Sequence, residues 1–380
     1  MFQLITNGDV YTPDPRGRVD VLLAFDKIIK VGRVDRKALD AVGAEVDVID
    51  AAGGFVVPGF LDPHEHLLGG SGEKGFATQS PEIALSEIAC AGITSVVGCL
   101  GVDTTMKTMA GLLAKVKGMR EEKLNAYIWS GGYNVPATSV MSSVREDIMF
   151  LEECIGAGEI AIADRRGTAP GARELAKVVT DAWVGGMLAK KAGITHFHVG
   201  ELEERLAVLR EMVERFDVDP CWYYITHIER SKELMREAIQ MASEGSTCDI
   251  DTVEGELHKW VRYWLDEGGD PSKLTVSSDA SVSSPMKFSK EVRGLVTEHG
   301  MTLDQVLPFV TTNTARVLKL EHKGALEAGK AADVVVLDRD SLEVREVISL
   351  GRRLVVDGQL AVREQFLDGS DRRVSLTGEK

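Results

Sequence analysis

Basic charge is what this 380-residue chain is short of: 44 Lys and Arg stand against 59 Asp and Glu, giving a formal charge of −15 and a pI near 5.1. A surface of that sign has no counterions to release from nucleic acid or an anionic membrane, so neither is expected as a partner. Long apolar runs are missing as well. No stretch approaches the ~18 residues that a membrane span requires. The start, Met1-Phe2-Gln3-Leu4-Ile5-Thr6-Asn7-Gly8, has neither the basic nor the apolar segment of a secretory leader. The five cysteines (Cys90, Cys99, Cys154, Cys221 and Cys248) are odd in number and show no CxxC spacing. They indicate neither a disulfide framework nor a cysteine zinc site, and read as reduced thiols, mostly core filler, in a cytoplasmic protein. With 44% apolar and 27% charged residues, and no repeat or low-complexity tract, the composition is that of a folded globular chain.

From about residue 55 to 279, short apolar β-rich runs alternate with longer amphipathic stretches. The runs cover 55–60, 93–100, 126–129, 160–163, 195–199, 222–226, 247–250 and 274–277. Segments such as 81–91, 202–215 and 231–244 carry apolar residues at helical spacing. Strands that are apolar throughout, alternating with helices, indicate a parallel sheet covered on both faces. Eight of them in ~225 residues suit a (β/α)8 TIM barrel better than an open sheet. The ends differ, with short alternating strands and turns such as Asn7-Gly8, Pro13-Asp14-Pro15 and Asp357-Gly358. The expected fold class is therefore α/β: a barrel over 55–322, and a small β-sandwich domain from segments 1–54 and 323–380. The polar tail, 368–380, is expected to be frayed.

Several of the eight histidines fall where such a barrel places functional groups. His64 and His66, in Asp62-Pro63-His64-Glu65-His66, lie one strand repeat apart, so both imidazoles face the same side. His198 ends the fifth run, His227 the sixth and Asp279 the eighth. Barrel active sites are built from the C-terminal ends of strands, so these five side chains would converge on a divalent metal. Any one of them alone is more economically a hydrogen-bonded residue or a helix cap; the five in this order are not. Glu65 alternates to the face opposite His64 and reads as structural. His196 is ambiguous, and His258, His299 and His322 read as surface residues.

These motifs carry a resemblance. Pro58-Gly59-Phe60-Leu61-Asp62-Pro63-His64-Glu65-His66, the later His, His and Asp, and the Ala-Asp-x-Val run after Gly329 look like the amidohydrolase superfamily. Within it, Gly69-Gly70-Ser71-Gly72-Glu73, Thr94-Ser95-Val96-Val97-Gly98, Gly131-Gly132-Tyr133-Asn134-Val135-Pro136, Asp164-Arg165-Arg166, Phe197-His198-Val199-Gly200 and Ser277-Ser278-Asp279 are similar to the isoaspartyl dipeptidase family. The resemblance implies a binuclear-metal hydrolase, most often with zinc, that cleaves the isopeptide bond of β-aspartyl dipeptides through a metal-bridging hydroxide. It also implies a homo-oligomer. His64, His66 and Asp279 would hold one ion, and His198 and His227 the other. Asp279 would also shuttle the proton, and Tyr133 would donate to the oxyanion. One position departs from the family. A carboxylated lysine that bridges the metals there is Glu159 here, in Gly156-Ala157-Gly158-Glu159. Its reach is shorter by ~4 Å, so the backbone must approach, which the two glycines permit. Glu159 either bridges both ions directly or is a solvated carboxylate beside a single-metal site.

By the same resemblance Glu73 pairs with the substrate ammonium, and Arg166, Arg230 and Ser283 take the carboxylate of the leaving amino acid. Val102 stands where the family tends to have threonine, and Ser71 replaces a glycine; both bear on recognition of the aspartyl end. The competing readings are a different metal-dependent amidohydrolase, acting on a cyclic amide or an N-acyl amino acid, and a non-catalytic scaffold.

Overall fold

The computed structural model describes residues 2–41, 43, 45–70 and 72–371; Ser71 and the tail from 372 lie outside the described residues. Eight parallel strands follow one another in chain order around a single sheet: Phe60–Glu65, Ile93–Gly98, Asn125–Ser130, Cys154–Ile162, Thr195–Val199, Tyr223–Thr226, Thr247–Asp251 and Leu274–Ser277. A parallel bridge between Glu65 and Ala280 joins the eighth strand back to the first. Two backbone hydrogen bonds reinforce that seam, from the His66 amide to Ala280 O at 2.9 Å and from the Asp279 amide to His64 O at 3.1 Å. The sheet is a barrel.

Strand alternation explains why the runs are apolar on both faces. Val96, Ile128, Phe197 and Ile225 point outward and pack under the surrounding helices. Their neighbours Val97, Trp129 and Tyr224 fill the barrel interior. His196 stacks inside on Trp129, with ring centroids 5.1 Å apart, so it belongs to the interior layer. Several helices begin where the sequence supplies a cap. The Ser231 hydroxyl, for example, accepts from the Leu234 amide at 3.1 Å and opens the helix Lys232–Ser243.

Two boundaries differ from the sequence reading. The run 55–60 divides at Gly59. Phe55–Pro58 pairs antiparallel with Val334–Leu337 in a terminal sheet, and only Phe60–Glu65 enters the barrel. A Cβ on Gly59 would lie 2.1 Å from the Thr94 hydroxyl oxygen, so the chain changes sheets at the one residue that fits. The fourth barrel strand also starts at Cys154 rather than 160. Its glycines and two register shifts, one against each neighbouring strand, disguise the β pattern.

The terminal segments build a four-stranded and a seven-stranded sheet that share a core of Ile5, Val21, Leu23, Ile28 and Ile49 against Val10, Val56, Val334, Val336 and Ile348. The other face of the seven-stranded sheet presents Val57, Val335, Val347 and Val355 to the barrel core. Strand Val334–Leu337 thus serves two cores by simple alternation. The polar link between them is Asp333. Its carboxylate takes the buried Lys323 Nζ at 2.6 Å, the Leu350 amide at 2.8 Å and Asn125 Nδ2 at 3.2 Å. Lys323→Met strips this buried carboxylate of its counter-charge, and should cost about 3–5 kcal/mol in chemical denaturation. A loss below ~1 kcal/mol, the range of exposed pairs, would remove the pair from the account of stability.

Candidate metal centre

The seam and the strand ends bring the sequence-predicted residues together. His64 Nε2 lies 3.3 Å from Glu159 Oε2 and 3.4 Å from Asp279 Oδ1. His66 Nε2 lies 3.1 Å from Asp279 Oδ1 and 3.4 Å from Glu159 Oε1. On the other side of Glu159, its Oε2 is 3.0 Å from His198 Nδ1 and 3.5 Å from His227 Nε2. Glu159 is fully buried and sits between the two histidine pairs.

Local backbone geometry achieves this. The fourth strand takes three residue steps, Ala157 to Ile160, where the fifth takes two, Thr195 to Phe197. The extra residue is a bulge that turns Glu159 into the barrel. Gly158 in the bulge has φ 144° and rests on His196, where a Cβ would come within 2.7 Å of His196 Cβ; only glycine fits. His227 and Asp279 hold left-handed backbone angles, φ 63° and 44°, which non-glycine residues adopt chiefly where the surroundings impose them.

Carboxylates that the sequence reading gave no role orient two of the rings. Asp251 Oδ2 is 2.6 Å from His227 Nδ1, and Asp164 Oδ2 is 2.9 Å from His198 Nε2. A ring that gives its N–H to either acid has the opposite nitrogen's lone pair free on the Glu159 side, the tautomer that metal ligation requires. Both acids sit at the C-terminal ends of barrel strands, the position that singled out the histidines. Cys99, just beyond the second strand, is not simple core filler. Its Sγ lies 3.7 Å from His66 Nδ1 and 4.0 Å from Nε2. His258 and His299 are exposed and stack face to face with centroids 3.8 Å apart.

The electrostatics are those of a site built around positive charge. Burial opposes ionisation of Glu159, but His64 and His198 hold its carboxyl well below the usual range. Burial likewise opposes Asp279, which His64 and His66 keep low. Burial pushes the Tyr133 phenol well above its ordinary value, so it remains a donor. Both nitrogens of His64 and Oε1 of Glu159 are buried with no hydrogen-bond partner among the described residues. Unpaired polar atoms in a dry interior are costly. Imidazole and carboxylate atoms within 4.8 Å of one another, in the sets His64, His66, Cys99, Glu159 and Glu159, His198, His227, are what divalent ions require. The residues present fit a metal centre.

A cavity of about 540 Å³ opens over it, lined by Glu73, Tyr133, Arg166, Arg230 and Asp279 among others. The Tyr133 hydroxyl is 3.0 Å from His198 Nδ1. Arg166 is gripped by Asp164 through Nε at 3.0 Å and NH2 at 2.7 Å, and its NH1 donates to Glu73 at 2.8 Å. Arg230 donates to Val199 O at 2.5 Å. Val102 lines the cavity, and so do Ser281 and Val282, but Ser283 of the same loop does not. The Ser283 hydroxyl is buried without a partner among the described residues.

Comparison with known proteins identifies the family. A model of the amidohydrolase family matches residues 260–360. The crystal structure of a β-aspartyl dipeptidase from Fervidobacterium islandicum AW-1 superposes with a TM-score of 0.91 at 35% identity, covering 96% of this chain and 99% of that one. The same enzyme in complex with β-Asp-Leu gives 0.89 and 34%, with the same coverage. Among curated sequences, adenine deaminase 1 of Carboxydothermus hydrogenoformans is 24% identical over 90% of this chain, which spans about half (56%) of that protein. A dihydroorotase of Caldicellulosiruptor saccharolyticus is 22% identical over 94% of each. Through its likeness to the Fervidobacterium enzyme along nearly the whole of both chains, this chain belongs to the amidohydrolase family.

Proposed function

We propose that this protein is a dipeptidase that hydrolyses β-aspartyl dipeptides, using two divalent ions, zinc foremost, held on either side of Glu159. The observation that carries the reading is the Arg166–Glu73 pair at the cavity over the centre. The two side chains satisfy each other until a ligand bearing both an ammonium and a carboxylate replaces each half of the pair. A dipeptide has both groups. A neutral cyclic amide has neither, and an N-acyl amino acid lacks the ammonium. Likeness to an enzyme solved with β-Asp-Leu supports the same choice.

His64, His66 and Asp279 would hold one ion, His198 and His227 the other, with Glu159 shared. Such ions lower the pKa of bound water to ~7 and so supply a nucleophile at neutral pH. The chain's own groups do the rest. Glu73 takes the substrate ammonium. Arg166 and Arg230, which line the cavity, take the carboxylate of the leaving residue. Tyr133, kept neutral, donates its O–H to the oxygen that gains charge at the scissile carbonyl. Asp279, ionised and 20% exposed toward the cavity, accepts the proton of the attacking water and passes it to the departing amine.

Three measurements test this. Protein reconstituted with zinc should cleave β-Asp-Leu and lose that activity to a chelator. Turnover of a hydantoin or an N-acetyl amino acid, with none of β-Asp-Leu, would transfer the assignment to the other amidohydrolase chemistries. Asp279→Asn should lower kcat by ~10²–10⁴-fold, whereas Arg230→Ala should mainly raise KM. An unchanged kcat in the first would end the proton-shuttle role. Asp251→Asn removes the acceptor of the His227 N–H and should weaken binding of one ion by ~10–100-fold in competition with a chromogenic chelator. Unchanged affinity for both ions would show that Asp251 does not orient the ligand.

A further inference from the structure

Cys99 is the one soft donor at the centre, and the metal reading above, on which this inference rests, gives it no role. Its Sγ, His64, His66 and Glu159 each offer a ligand atom within 4.8 Å of the other three. A sulfur bonded at ~2.3 Å and a nitrogen at ~2.0 Å to one ion stand roughly 3.5–4 Å apart. The 4.0 Å from Cys99 Sγ to His66 Nε2 falls in that span. The second, independent sign is the pair of orphans across from it: Glu159 Oε1 and the His64 nitrogens, fully buried with no hydrogen-bond partner among the described residues. The thiol also lies 3.7 Å from Glu65 O and 3.7 Å from His66 Nδ1, so as a free thiol it is held against the same ring.

The backbone holds the sulfur there. Cys99 follows the second barrel strand, and its amide donates to Glu65 O at 3.0 Å, beside the barrel seam. Two residues on, the chain passes so close to the His66 ring that a Cβ on Gly101 would lie 2.8 Å from His66 Cε1. Cys99 is 1% exposed, so its thiol faces the centre and not solvent.

We propose that Cys99 is a thiolate ligand of the ion held by His64 and His66, and that it makes the two halves of the centre unequal. The thiol proton is lost to solvent as the sulfur–metal bond forms, and no electrons are transferred. Thiolate favours zinc, cobalt and cadmium over the hard ions manganese and magnesium. The half beside Cys99 is therefore selective for soft ions, while the half formed by His198 and His227 has only imidazole and carboxylate.

The test is spectroscopic and does not depend on turnover. The full chain loaded with Co²⁺ should show a sulfur-to-cobalt charge-transfer band in the near ultraviolet. Cys99→Ser and Cys99→Ala should lose the band while keeping the visible d–d bands of bound cobalt. The same variants should bind Cd²⁺ at least ~10-fold more weakly, the loss seen even for an outer-sphere partner, with Mn²⁺ binding little changed. Wild-type protein that binds cobalt without the band overturns the proposal. A band that survives both substitutions also overturns it, because Cys90, Cys154, Cys221 or Cys248 must then be its source. Should both variants fail to fold, the wild-type spectrum alone decides. Protein that cleaves β-Asp-Leu with two ions bound but lacks the band refutes Cys99 ligation and leaves the proposed function standing; protein that binds no ion refutes both.

Discussion

A carboxylate with no exposed surface lies among four imidazoles, and much of the barrel's upper rim is arranged around it. Removing an ion such as Glu159 from water costs several kcal/mol even after relaxation, and that cost is recovered only through close opposite charge and hydrogen bonds. Neutral imidazoles recover part of it through N–H donors, but His198 and His227 each have an acid, Asp164 or Asp251, competing with Glu159 for the ring N–H. In the tautomer that satisfies those acids, the two rings turn lone pairs, not donors, toward Glu159. Lone pairs facing a carboxylate repel it unless a cation lies between. In that tautomer Asp164 and Asp251 add to the case for positive ions beside Glu159 that the clustered ligand atoms make.

Barrel closure and site assembly are the same event. The bonds that join the first and eighth strands run through His64, His66, Asp279 and Ala280, three of which are candidate ligands. The left-handed angles of His227 and Asp279, and the bulge that carries Glu159, are local irregularities that a free chain would abandon. They persist because eight strands over-determine the position of each end. Packing stability beneath the rim, from residues such as Trp129, Tyr224 and Phe197, therefore holds ligand geometry as well as the fold.

Most of this was legible in the sequence because it rests on period and position. Alternating apolar strands identify the barrel, and a strand's C-terminal end identifies where its functional residue stands. The same rule, applied to every strand, would have found Asp164 after the fourth and Asp251 at the end of the seventh. Asp164 stands in the sequence only as part of a motif and Asp251 stands alone, and a single aspartate, which is often a helix cap, carries no ligand signal of its own. Other features were out of reach for physical reasons. A bulge has no sequence period, so the fourth run reads from 160 in the sequence although the strand begins at Cys154. Gly59 divides one apolar run between two sheets because of Thr94, more than thirty residues away. Cys99 had the composition of a core residue, and only the close approach of the His66 ring makes it more.

Charge links the substrate cavity to the metal centre through Asp164. One carboxylate grips Arg166 with both oxygens and also takes the His198 N–H. Burial opposes ionisation of Asp164, but its contacts with His198 and Arg166 hold the carboxyl well below the usual range. Any anion that Arg166 binds shares the guanidinium with Asp164, which leaves Asp164 freer to accept from His198. An acceptor that binds the ring N–H more tightly makes the opposite nitrogen a stronger donor. Occupancy of the carboxylate site thus bears on the ring that faces Glu159, with a single side chain between them. On the proposed function, the arginine that would bind the substrate carboxylate thus touches the same acid as the candidate ligand that lies against Tyr133.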